Sequence, residues 1–353
     1  MMRNWLLLFL VAGLATPVFA ADQVTVAELE NTVDKAHRKP DAHVATQLDQ
    51  LELSERLSTA RWARLNAELP GEAARLALLA LSDRSAFLAL PAAEIPATAA
   101  PDRAAQDALL AKTALYAKET LSRLPDFFAT QQIIQFSDGP SKVSRLTGAD
   151  SSSQKLHLVA QISATVHFLG GKEEIEPGRT ETRSLRTEGR QLAVQGVFGP
   201  LLRVVLKDAL ANHPAWSHWE QGTAGPIAVF HYDVPRDKSH YVLAESSITA
   251  YRGEIGLDPA SGTILRLTLI AAPRPDSPVV RGDLLVEYGP VEIGGNTYTC
   301  PLRSVAISLA RSVDLLHDVY KFPQANQMAF QFELNDVGYS QYHLFHAEMR
   351  VLP

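Results

Sequence analysis

The hydrophobic period of this chain changes once, at Pro125, and that change limits it to a helical front joined to a β-rich remainder. From Val26 to about Leu124 the apolar residues recur at helical spacing and strand formers are scarce. Leu48, Leu51, Leu53, Leu57, Trp62 and Leu65 mark one amphipathic segment. Leu76, Leu79, Leu81 and Phe87 mark another, after the breaker Pro70-Gly71. The stretch LPAAEIPATAAPDR, residues 90–103, carries three prolines among small alanines and predicts an extended linker. A third helix is predicted over 104–123, presenting Leu109, Leu110, Leu115, Tyr116 and Leu121 before Pro125 stops it. Helices with short turns make a small bundle.

Beyond Pro125 the period is two. Strands are predicted at 127–136, 155–168, 225–234, 240–244, 251–258, 263–270, 280–288, 297–300, 302–309, 330–334 and 342–352. That many strands suffice for one large curved antiparallel sheet or a sandwich. The main interruption is 199–214, GPLLRVVLKDALANHP, a helix with Leu201, Leu202, Val205, Leu206, Ala209 and Leu210 on one side. A helix packed on a large antiparallel sheet is an α+β arrangement.

The most regular part of the sheet is YRGEIGLDPASGTILRLTL, residues 251–269. Tyr251, Gly253, Ile255 and Leu257 share one face of its first strand, and Asp258-Pro-Ala-Ser-Gly262 supplies the turn. Thr263, Leu265, Leu267 and Leu269 return the apolar face, and Gly282, Leu284, Val286 and Tyr288 continue it on the next strand. Gly253, Gly256 and Gly282 omit side chains inside strands, which permits bending or close approach by another group; curvature is the expected reason.

The ends and the composition fix the setting. Residues 1–20, MMRNWLLLFLVAGLATPVFA, read as a secretory signal peptide with Arg3 as its one cation and a cut after Ala20. Its apolar run is too short to span a bilayer. The single cysteine, Cys300, provides neither a lipid attachment site near the cut nor an intramolecular disulfide. Removing Arg3 takes the formal charge from −6 to −7, with no basic run, so nucleic acid is not an expected partner. The expected division is a signal at 1–20, a helical domain at 21–124 and an antiparallel β domain at 125–353, in a periplasmic or secreted protein.

The stretches LPDFFATQ at 124–131, GEIGLDPASGTILRLTL, VEYGPVEIGGNTYTCPLRSV and the closing YHLFHAEMRVL resemble a group of exported, uncharacterised proteins of soil acidobacteria. LELSERLSTARWARLNAELPGEAARLALLALSDRSAFL resembles the front half of the same group, and no activity comes with that resemblance. More distantly, a strand ending D-x-x-S-G and continuing I-L-R-L is similar to the lipoprotein-carrier fold of the LolA, LolB and RseB type, over the β half only. That resemblance implies an incomplete barrel that wraps helices and encloses an apolar cavity for acyl chains.

Signatures of chemistry are few. Eleven histidines include His213, His218, His231, His240, His317, His343 and His346, but no H-E-x-x-H and no cysteine pair accompanies them, so no metal is expected. An S-x-x-K match, Ser152 to Lys155, lies in a polar loop without its companion motifs. Cys300, at the end of a predicted strand, is expected to be a buried small hydrophobe. Glu173, Glu174 and Glu176 read as a solvated hairpin tip, and Asp258 is explained by its turn. No phosphate-binding loop occurs, and no cofactor is expected. Trp216 and Trp219 stand three apart around His218; an extended chain points them to opposite faces, a helical turn to one.

The expectation is an exported, non-catalytic protein that binds an apolar or amphipathic ligand, such as a lipid, or an envelope protein. Trp216, Trp219, Tyr251 and Tyr288 are the candidate ligand-binding residues, on the apolar side of the sheet. Two alternatives come from other classes: an envelope hydrolase using carboxylates in a sheet cleft, and a structural protein docking through its helical domain.

Overall fold

The computed structural model describes residues 22–36, 38–120, 123–138, 156–183, 197–243, 247–311 and 330–345. The expected signal peptide, the Ser152 to Lys155 match, His317, His346 and the end of the last predicted strand lie outside them.

The front of the chain holds α1 (Val26–Asp34), α2 (Asp41–Leu48), α3 (Thr59–Glu68) and α4 (Glu72–Ser85). Thr25 opens α1 with a reciprocal cap: its hydroxyl accepts from the Glu28 amide, and the Glu28 carboxylate accepts from the Thr25 amide at 2.7 Å. At α4 the cap is borrowed, because Asp41 of α2 accepts from the amides of Ala73 and Ala74 at 3.0 and 2.9 Å. Gly71 leaves room for that carboxylate, which an added Cβ would meet at 2.5 Å. Val26, Leu29, Val33, Val44, Leu48, Leu65, Leu78 and Leu81 form a core that belongs to these helices alone. The segment read as one helix from Leu48 to Leu65 is interrupted: β2 (Leu51–Leu53) pairs in parallel with β1 (Asp22–Val24). Leu51 and Leu53 stand two apart, and the strand period wins locally.

The remainder is a ten-stranded antiparallel sheet, open at both ends, in the order β5-β4-β3-β12-β11-β10-β9-β8-β7-β6. Its strands are β3 (Phe127–Ser137), β4 (His157–Leu169), β5 (Lys172–Arg183), β6 (Ala215–Gln221), β7 (Pro226–Val234), β8 (Ala250–Leu257), β9 (Ile264–Ala272), β10 (Val279–Ile293), β11 (Asn296–Arg311) and β12 (Phe330–Leu344). With α5 (Arg103–Thr120) and α6 (Pro200–Ala211), the α+β arrangement stands as read. Three strand boundaries differ. The pieces at 297–300 and 302–309 are one strand, because the sheet absorbs Pro301 opposite Tyr288 beside a register shift. The pieces at 330–334 and 342–352 belong to one strand through Leu344, kinked at Gln341, whose φ is 51°. Of the strand expected at 240–244, residues 240–243 are irregular with a bridge from Val242 to Ile248, since Asp208 and Ser239 take the His240 and Tyr241 amides, and Ala244 lies outside the described residues.

Side-chain alternation gives the sheet two different faces. On one, Phe127, Phe168, Phe230, Tyr232, Tyr251, Ile255, Leu267 and Val286 pack against Phe198 and against Leu202, Val205, Leu206 and Ala209 of α6, with Leu109 of α5. On the other, Phe136, Ile307 and Leu334 meet Leu76, Leu79 and Ala80 of α4, and Leu285 and Val305 meet Ala86 and Phe87. The segment between α4 and α5 therefore carries the chain from the α4 face to the α6 face, around the free edge of β6.

The strand glycines serve close approach more than curvature. The Tyr232 hydroxyl donates to the Thr268 carbonyl at 2.6 Å across Gly253, where an added Cβ would lie 1.9 Å from that oxygen. Leu243 lies over Gly282, where an added Cβ would meet it at 2.5 Å. The Asp258 turn closes through the Gly262 amide, which donates to the Asp258 carbonyl at 2.8 Å with φ at 75°. That turn docks on α5, where Lys112 Nζ donates to the Ala260 carbonyl at 3.3 Å.

Candidate functional site

Edge strand β6 brings the two tryptophans together. A regular strand would separate them, but the register shifts between Trp216 and His218, and the extra residue reverses the alternation. Both indoles thus reach the α6 face, edge to face with centroids 4.8 Å apart, and Trp216 meets Phe230 at 5.4 Å. Both are half-buried. Trp219 Nε1 donates to the carbonyl of Ala99 at 3.0 Å, so the proline-rich segment crosses the edge over this pair.

Tyr251 and Tyr288 lie on the same face but inside the core. The Tyr251 hydroxyl donates to Asp208 at 2.9 Å, and the Tyr288 hydroxyl donates to the Val197 carbonyl at 3.2 Å. Burial pushes both phenols far above their ordinary range. Of the four candidate residues, only the tryptophan pair is brought together at the surface.

Asp208 is a buried node on α6. Besides Tyr251 it accepts from the His240 backbone amide at 2.8 Å and lies 2.7 Å from His240 Nδ1. A carboxylate behind an exposed imidazole can orient a general base. Here its three contacts tie α6 to β8 and to the loop that begins at Ser239, which is a tethering role.

The α4 face carries charges that sequence reading did not single out. Glu220 of β6 takes both arms of Arg266 at 2.6 and 2.8 Å, and it also pairs with Arg56, which precedes α3. All three are buried. Burial alone would raise the Glu220 carboxyl, but hydrogen bonds from Arg266 and His218, with the Arg266 and Arg56 charges, hold it far below the carboxylate range. Farther along this face Arg303 donates to Asp336 at 2.7 Å and to Asp83 of α4, with Glu287 at 3.9 Å. Burial, reinforced by the Asp336 charge, pushes the Asp83 carboxyl well above its ordinary value despite Arg303. Among the described residues Arg56 and Asp83 thus give the front of the chain ionic holds on the sheet. The available sequence signal was Arg266 itself, a lone cation inside the apolar run ILRLTLI.

Ser217, His218 and Glu220 have the order of a nucleophile, base and carboxylate, with Oγ 2.8 Å from Nδ1 and Nε2 2.9 Å from the carboxylate. Such a relay works when the carboxylate stabilises a developing imidazolium. Glu220 is already shared between two guanidiniums, so the arrangement braces His218 rather than activating Ser217. Cys300 is buried and its thiol is pushed up to about 12 by burial, which removes it as a nucleophile. Glu173, Glu174 and Glu176 fall within β5 rather than at the tip, which is Gly170-Gly171. His343 stacks beside Phe128 at 5.2 Å. Among the described residues no group of three or more His, Cys, Asp or Glu is placed to hold a metal, and no helix is long and apolar enough to cross a membrane.

No family model matches the chain, and no curated protein matches it. Among solved structures, a chain of the Pseudomonas aeruginosa MucA/MucB complex is similar over 66% of this chain and 94% of its own length, at 12% identity and a TM-score of 0.19.

Proposed function

We propose that this is an exported, non-catalytic binding protein whose partner is a protein of the envelope rather than a lipid carried within the sheet. One observation supports this reading above the others: the apolar face that a carrier would leave hollow is occupied by the chain itself. Phe198, Val205, Leu206 and Ala209 are all at most 2% exposed against that face. An acyl chain entering there would have to displace α6 and expose the apolar surface it covers, at about 25 cal/mol per Å². Among the described residues the carboxylates that converge on the α4 face are tied to Arg56, Arg266 and Arg303, which disfavours the hydrolase. Export rests on the signal-like residues 1–20.

The reading is tested on the processed chain recovered from the envelope. Organic extraction is expected to release no lipid at one equivalent per chain. Photo-crosslinking from position 115, where Leu115 is 56% exposed on α5, is expected to give discrete adducts with protein. Stoichiometric lipid without protein adducts would overturn it.

A further inference from the structure

The geometry points to the Trp216–Trp219 pair as a docking shelf for an extended, proline- and alanine-rich peptide, occupied in this chain by its own segment 95–101. The inference rests on the binding reading above and names the chemistry of the partner.

The shelf is preorganised. The β6 bulge aligns the two indoles, and Phe230, fully buried, backs them at 5.4 Å from Trp216. Rigid aromatic surface with one outward N–H donor suits peptides that already lack conformational freedom, because little entropy is lost on binding.

The segment now on the shelf, IPATAAP, has that character. Pro96 and Pro101 fix φ and bias the residues before them to extended backbone, and Ile95 is extended at φ −81° and ψ 117°. Its Ala99 carbonyl accepts the Trp219 N–H at 3.0 Å, the polar contact expected of a polyproline-type ligand. Residues 97–100 remain exposed, so the segment lies on the shelf without being buried in it.

Its ends are anchored outside the shelf. Glu94 pairs with Arg61 of α3 at 2.8 Å, and Asp102 caps α5 through the Ala105 amide at 2.8 Å. The two anchors hold the segment near the tryptophans at a high effective concentration, of millimolar order for a short tether. Proximity therefore accounts for its hold on the Trp219 N–H, and a free peptide of the same chemistry competes for the same donor.

The test uses the full processed chain with 95–101 replaced by glycine and serine at unchanged length, and the synthetic peptide IPATAAPD as probe. Tryptophan emission reports binding, and Trp62→Phe is included to remove the indole of α3. The peptide is expected to bind the replaced chain saturably and the natural chain at least tenfold more weakly. Trp219→Phe in the replaced chain, which keeps a ring but loses the donor, is expected to weaken binding about tenfold. No saturable binding to a replaced chain that melts like the natural one, or equal binding by Trp219→Phe, would overturn the inference. Should the replaced chain fail to fold, the Trp219 indole N–H resonance of the natural chain is followed instead. Movement on adding excess peptide supports the shelf, and a fixed resonance overturns it. Protein adducts from position 115 that persist in Trp219→Phe would leave the binding reading standing with its partner seated elsewhere.

Discussion

The two faces of the sheet hold their helices by different physics. On the α6 face the contact is oil: Phe127, Phe168 and Phe198 pack ring against ring with centroids 5.1 to 6.5 Å apart, and the Tyr232 and Tyr251 hydroxyls end on the Thr268 carbonyl and on Asp208. On the α4 face a smaller apolar patch is flanked by two ionic holds, Arg56 to Glu220 and Asp83 to Arg303. Apolar burial scales with area and tolerates imperfect register, whereas a buried ion pair demands that both partners be present. The α6 face is therefore a folding core, while the α4 face is a seam onto which helices with a core of their own are docked.

The largest break in that comparison is Phe198→Ala. It empties the centre of the aromatic cluster and is expected to cost about 3–5 kcal/mol in urea unfolding. A loss under about 1 kcal/mol would mean that the face is loosely filled. Glu220→Gln comes next, at about 3 kcal/mol, because Arg56 and Arg266 are left buried without their counter-charge. Its damage is expected on both sides of the seam, read as faster proteolysis within 90–103 together with a lowered melting transition of the β half, where Arg266 sits.

Protonation sharpens the contrast because the two holds respond to pH with opposite sign. Asp83 has a raised folded value, so its contribution is fully present below the unfolded aspartate value of about 4 and is lost as pH rises toward the folded value. Glu220 has a depressed folded value, so its contribution is present above the unfolded glutamate value of about 4.3 and is lost as pH falls below it. Asp83→Asn is accordingly expected to lower the melting temperature most near pH 4 and progressively less as the pH rises toward the folded value. A loss that grows with rising pH would contradict the assignment. The smallest effect is chemical: Cys300 is expected to resist a thiol reagent in the native chain at pH 8 and to react at once in denaturant.

Much of the fold was legible because it is local. The change of period at Pro125, the apolar stripe of α6 and the hairpin around Asp258 each lie within a few residues of their own cause. The strand glycines were legible as positions but not in purpose, since Tyr232 and Leu243 reach them from other elements. The tryptophan pair was half-legible: its proximity depends on one bulged residue, which no alternation pattern announces. The ionic holds were hidden by distance along the chain, with Arg56 and Glu220 separated by 164 positions and Asp83 and Arg303 by 220. The placement of β12 between β3 and β11, which completes the sheet, is likewise a long-range pairing.

Amide hydrogen exchange along residues 200–211 tests most directly whether the sheet's oily side is permanently occupied. The account predicts that these amides exchange as slowly as those of β9 and β10, and that added phospholipid vesicles leave them unchanged. Fast exchange across this helix, or protection that collapses when vesicles are added, would contradict it and return the chain to the carriers.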